Sequence, residues 1–114
     1  MKTALLLIDL QNDYFPGGLM ELVGSTPAAF RAAKALKLFR ERGLPVFHVR
    51  HEALKADATF FLTGTEGAAI HDSVLPVDGE SVIIKHYPNS FRETDLLERL
   101  RKAGVTRLAV AGMM

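Results

Sequence analysis

Ala4-Leu5-Leu6-Leu7-Ile8 is an unbroken apolar run that ends on Asp9. Alternating polarity would mark a strand with one wet face; a continuous run this short marks a strand covered on both. Working outward, Gln11 to Gly24 carries Pro16-Gly17-Gly18 and reads as a long loop. Ser25-Thr26-Pro27 offers a capping hydroxyl and a proline suited to a first turn, which predicts a helix from about Pro27 to Arg42, ended by Gly43. Its inward side is expected to carry Ala29, Ala33, Leu36 and Arg40, broadened by Phe30, Leu38 and Phe39. Pro45-Val46-Phe47-His48-Val49 reads as a second strand. Residues 50–76 lose periodicity and predict a loop with a short helix near Gly67 to Ile70. Val82-Ile83-Ile84 is a third strand ending at Lys85. Thr94 to Ala103 reads as a helix with Leu96, Leu97 and Leu100 inward, stopped by Gly104, and Arg107 to Ala111 as a fourth strand.

Strand, helix, strand, loop, strand, helix, strand predicts parallel pairing through right-handed crossovers. The expected fold is α/β, a doubly wound (Rossmann-like) parallel sheet with helices on both faces, forming one domain over residues 1–114. Fourteen Lys+Arg against 13 Asp+Glu and 48% apolar residues exclude a disordered chain and provide no basic field for nucleic acid. The longest apolar run is too short to cross a bilayer, and the N-terminus lacks a signal-peptide pattern, so no membrane partner and a cytoplasmic location are expected. With no cysteine in the chain, disulfides and thiolate metal sites are impossible.

In doubly wound sheets ligands bind beyond the carboxyl ends of the strands, an edge that Asp9, Arg50, Lys85 and Gly112 would share. A carboxylate ending a buried strand can be tuned for acid–base work, although Asp9 could equally pin the following loop. Lys85 alone could be a solvated strand end; on a strand placed beside that of Asp9 it would hold the carboxylate ionised. Gln11 and Phe15 after the first strand, and Asn89 and Phe91 after the third, are candidates to line a substrate pocket. Asp13 reads as a loop-structuring residue, and Phe60-Phe61 as pocket wall or plain core. His48 and His51, three apart on a strand, face opposite ways, and no third ligand is evident, so no metal or cofactor is expected. His71 and His86 read as loop residues near the pocket mouth. Gly64-Thr65-Glu66-Gly67 lacks the Gly-Lys-Ser/Thr ending of a phosphate loop and reads as a turn.

Four segments in order carry a resemblance: Leu5 to Phe15, Gly64 to His71, Val82 to Phe91 and Arg107 to Met114. Together they resemble the isochorismatase-like cysteine hydrolases. The resemblance implies a six-stranded domain of which these are the first four strands. It also implies an Asp-Lys-Cys triad whose first two members are Asp9 and Lys85. In that family the thiolate attacks a small amide, imide or related carbon, and backbone N–H groups stabilise the oxyanion. Met113 and Met114 match a non-proline cis peptide beside that oxyanion site. The family's cysteine falls a few residues past Met114, so this chain is expected to be inactive alone, as the N-terminal portion of a longer protein. Relatives commonly oligomerise, which implies a homo-oligomer or a complementary C-terminal fragment as partner, beside a small-molecule substrate. The alternatives are a non-catalytic family fragment completed by a partner chain and a haloacid-dehalogenase-like phosphatase. The latter's Asp-x-Asp pattern is interrupted here by Gln11. Nicotinamidases of this superfamily bind metal through an Asp-x-His arrangement that Val49 to Leu54 lacks.

Overall fold

The computed structural model describes residues 2–113. Its strands are β1 (Thr3–Ile8), β2 (Val46–His51), β3 (Ser81–Lys85) and β4 (Arg107–Gly112), and its helices α1 (Ser25–Glu41) and α2 (Leu96–Lys102). The strands form one parallel sheet in the order β3-β2-β1-β4. As the continuous apolar run requires, β1 is central and both its faces are covered. Leu5, Leu7 and Val46 pack with Ala29, Ala32 and Leu36 of α1. Ala4, Leu6, Phe47, Val49 and Ile83 pack with Leu96 and Leu100 of α2 on the other side. Among the described residues no helix is long and apolar enough to cross a membrane.

The structure corrects several local expectations. Gly24, in the left-handed region at φ 79°, occupies the cap position of α1 without a side-chain cap, and Ser25 is already helical and buried. A glycine thus makes the entry turn that the hydroxyl was expected to secure. Phe30, Leu38 and Leu97 lie 62%, 46% and 48% exposed, because each helix touches the sheet along a stripe narrower than its apolar residues suggest. Ala32 is buried in α1 instead. The short helix in the long connection becomes two single 3₁₀ turns, Glu66–Ala68 and Asp72–Val74.

Two helices cover the middle of a four-stranded sheet and leave its edges partly bare. Leu108 and Val110 of β4 share the face of their register partners Ala4 and Leu6, and both are exposed. Val82 and Ile84 of β3 are exposed on the opposite face. The strands of Asp9 and Lys85 are not neighbours, contrary to expectation: β2 lies between them.

Beneath β2, a partly buried network ties α1 to the start of β3. Glu80 accepts from Arg40 at 2.7 and 2.8 Å and lies 2.8 Å from His48 Nε2. Burial pushes the Glu80 carboxyl up, but hydrogen bonds from Arg40, His48 and the Val77 amide prevail and bring it down to about 2. Burial lowers His48, and Glu80 only partly opposes this.

Candidate active site

The carboxyl edge is built on the segment leaving β1. Asp9 follows the last strand residue with its backbone in the left-handed region, φ 61°, held there by a 2.9 Å bond from its N–H to Val49 O. Aspartate is one of the few non-glycine residues that adopts this conformation readily. Two residues on, Gln11 is fully buried, and its amide clamps distant backbone. Its Nε2 donates to His51 O and Ala68 O, both at 2.8 Å, while its Oε1 accepts from His51 N at 2.8 Å. Asp13, also buried, accepts from Phe61 N at 2.7 Å and Leu19 N at 3.2 Å. Gly67 is required beside it, because a Cβ there would collide with the Asp13 carboxylate. Through these two side chains the loops after β1 and β2 become one framework.

Lys85, at the end of β3, is 2% exposed and reaches across the end of β2. Neighbouring strands lie about 4.8 Å apart, so its long side chain spans the gap that an intervening strand leaves. Its Nζ lies 3.3 Å from Asp9 Oδ2, 3.2 Å from His51 Nδ1 and 3.2 Å from Tyr87 O. These three acceptors match the three N–H bonds of an ammonium. The other Asp9 oxygen, Oδ1, is buried and has no hydrogen-bond partner among the described residues. Burial raises the Asp9 carboxyl above the usual carboxylate range, and the charge of and hydrogen bond from Lys85 oppose this. Burial also lowers His51, aided by the positive charge of Lys85 and by His86. A cavity of about 260 Å³ opens beside the pair, walled by Tyr14, His51, Phe60, Phe61 and Pro88. Burial, then the Asp9 charge, raises the Tyr14 phenol.

Asp9 and Lys85 therefore converge as the sequence suggests, while the four side chains expected to line the pocket do not join them. Gln11 is locked beneath the site by its backbone bonds. Phe15 stacks on His71 at 3.7 Å between centroids, against a separate cavity. Asn89 is exposed and accepts from Phe91 N at 2.9 Å, and Phe91 is 42% exposed. The Met113 amide donates to Ile8 O at 3.2 Å. Met114 lies outside the described residues, and with it the Met113–Met114 peptide bond. Of the residues that do wall the cavity, Phe60 and Phe61 were legible as an aromatic pair. Tyr14 carries no signal beyond its place five residues after Asp9. His48 and His51 diverge, one to Glu80 and the other to Lys85. No set of three ligand-type side chains converges among the described residues. Gln11 leaves Asp9 without the second carboxylate that the phosphatase alternative needs.

Fold and site together define a class: a parallel α/β protein that sets a buried carboxylate–ammonium pair beside a small cavity at the carboxyl edge of its sheet. A family model described as the isochorismatase domain matches residues 3–114, and the chain belongs to that family. The uncharacterized isochorismatase family protein YddQ of Bacillus subtilis is 54% identical over 114 residues, which cover all of this chain and 63% of YddQ. An isochorismatase-family structure from Oleispira antarctica has a TM-score of 0.95 at 52% identity, covering 99% of this chain and 61% of that one. N-carbamoylsarcosine amidase from Thermoplasma acidophilum has a TM-score of 0.91 at 27% identity, covering 98% and 68%. The chain thus spans a little under two thirds of YddQ and of the Oleispira protein.

Proposed function

We propose that Asp9 and Lys85 are the acid–base half of a cysteine hydrolase centre for a small amide or related substrate. The thiol comes from polypeptide outside these 114 residues, which hold no cysteine. The observation that carries this reading is the division of labour at Asp9, a residue of the cavity wall: Oδ2 faces Lys85, whereas Oδ1 is buried without a hydrogen-bond partner among the described residues. A buried carboxylate oxygen left unbonded is costly, and a thiol donor would satisfy it.

Asp9 takes the thiol proton, and the thiolate attacks the carbonyl carbon. The tetrahedral adduct collapses by breaking the C–N bond, and the proton returns from Asp9 to the departing amine. Water, deprotonated by Asp9, then attacks the thioester, releasing the acid and restoring the thiol. Lys85 keeps Asp9 ionised at the start of each half-reaction. Membership of the family and the amidase named among the similar structures favour an amide substrate. The same external polypeptide, in the same chain or a partner subunit, covers the bare face of β4 at Leu108 and Val110. Without it the 114 residues are inactive.

The test is ammonia release from a panel of small primary amides by the complete protein and its Asp9→Asn variant. Turnover that falls by at least about a hundredfold on substitution supports the reading. Turnover unaffected by Asp9→Asn overturns it.

A further inference from the structure

His51 has no part in the chemistry above, yet three elements fix it. Gln11 bonds both its N–H and its C=O, each at 2.8 Å. Its ring lies 5.9 Å from that of Phe61, and its Nδ1 lies 3.2 Å from Lys85 Nζ. An ammonium only donates, so Nδ1 must accept and the ring proton must sit on Nε2. Nε2 has no hydrogen-bond partner among the described residues, and it is not one of their sealed, unpaired polar atoms. His51 belongs to the walls of two cavities, the one at Asp9 and a neighbouring one of about 490 Å³ lined also by Leu54, His86 and Tyr87.

We propose that His51 is a substrate-orienting residue: its Nε2–H, held in a single tautomer by Lys85, donates a hydrogen bond to an oxygen acceptor of the substrate beside the two cavities that His51 lines. This rests on the reading of the cavity at Asp9 as a thiol hydrolase site. Because Nε2–H donates and cannot accept, it selects a carbonyl or carboxylate oxygen at that position over an N–H group. Lys85 thereby acts twice, on the carboxylate through one N–H and on substrate orientation through another.

The test compares two thiol reagents on the complete protein. Iodoacetamide carries an amide oxygen; dimethyl disulfide carries no oxygen at all. His51→Phe keeps an aromatic ring without its nitrogens; losing the contact with Lys85 slows both reagents alike, and iodoacetamide should be slowed about tenfold more than dimethyl disulfide, the loss of one hydrogen bond. His51→Gln, which restores an N–H donor, should recover most of the iodoacetamide rate. Equal slowing with both reagents would mean that His51 acts only through Lys85, and no slowing with either would mean that it orients nothing; both overturn the proposal. Nitrogen NMR of the His51 ring in the unsubstituted protein provides a check independent of variant folding: a proton on Nδ1 instead of Nε2 also overturns it. Asp9→Asn separates the two levels, because it should slow both reagents. If it slows neither, the underlying hydrolase reading fails; if it slows both while His51→Phe is silent, only the role of His51 fails.

Discussion

Replacing Lys85 by methionine keeps an unbranched side chain, one heavy atom shorter, and removes its charge. At 3.3 Å from Asp9 Oδ2, the ammonium contributes a gross attraction of about 5 kcal/mol at an effective dielectric of ~20. The desolvation of Lys85 offsets part of that. A close opposite charge moves a carboxylate by about 1–3 pH units, equivalent to about 1.4–4 kcal/mol. Burial already raises Asp9 above its ordinary 3.8, and without Lys85 this push is unopposed. The sign follows from proton uptake. A carboxyl whose folded value lies above its unfolded one binds more protons in the folded state, so stability declines as pH rises between the two values. In Lys85→Met that window widens upward. The variant should therefore lose about 1 kcal/mol against the parent near pH 4 and about 3 kcal/mol near pH 8. Urea unfolding across this range measures the difference. Adding Asp9→Asn to Lys85→Met should abolish the pH-dependent part. A loss of equal size at both ends of the range would refute the pairing of these two groups.

Gln11→Ala strands the N–H and C=O of His51 and the C=O of Ala68, and should cost about 3 kcal/mol or more in urea unfolding; a loss below about 1 kcal/mol would contradict the clamp. Glu80, lowered from 4.5 to about 2, stabilises the fold fully above its unfolded value and loses that contribution as pH falls towards 2. Glu80→Gln should accordingly flatten the acid limb of the stability profile below about pH 5, and an unchanged limb would contradict the network with Arg40 and His48. The 114-residue chain expressed by itself should self-associate through the exposed face of β4, and Val110→Lys should reduce this in light scattering. Identical scattering from both forms would leave that face without a role.

The central elements were legible because single residues decide them. Five apolar positions in a row demand cover on both faces, and Gly43 and Gly104 stop the two helices. Asp9 and Lys85 stood out because each abruptly ends an apolar strand. What escaped depends on partners far away in the chain. Gln11 looks like a pocket residue beside Asp9, but its bonds run to residues 40 and 57 positions away. Strand order is equally non-local: nothing in the third strand reveals that β2 separates it from β1, so that a long lysine is needed to bridge the gap. Phe30, Leu38 and Leu97 misled because helical periodicity marks an apolar side without revealing how much of it a narrow sheet covers. In the sequence His51 reads only as half of a metal pair; its bond to Lys85 depends on the register that sets the two residues level across β2 and β3.

The most direct measurement is the pH dependence of thiol alkylation in the complete protein, compared with its Asp9→Asn variant. If Asp9 Oδ1 takes the thiol proton, the parent should react nearly as fast at about pH 6 as at about pH 8. The variant's rate should fall towards the profile of an ordinary thiol, with a midpoint near ~8.5, and drop about a hundredfold at the lower pH. Superimposable profiles for the two proteins would contradict the assignment of Asp9 as the base.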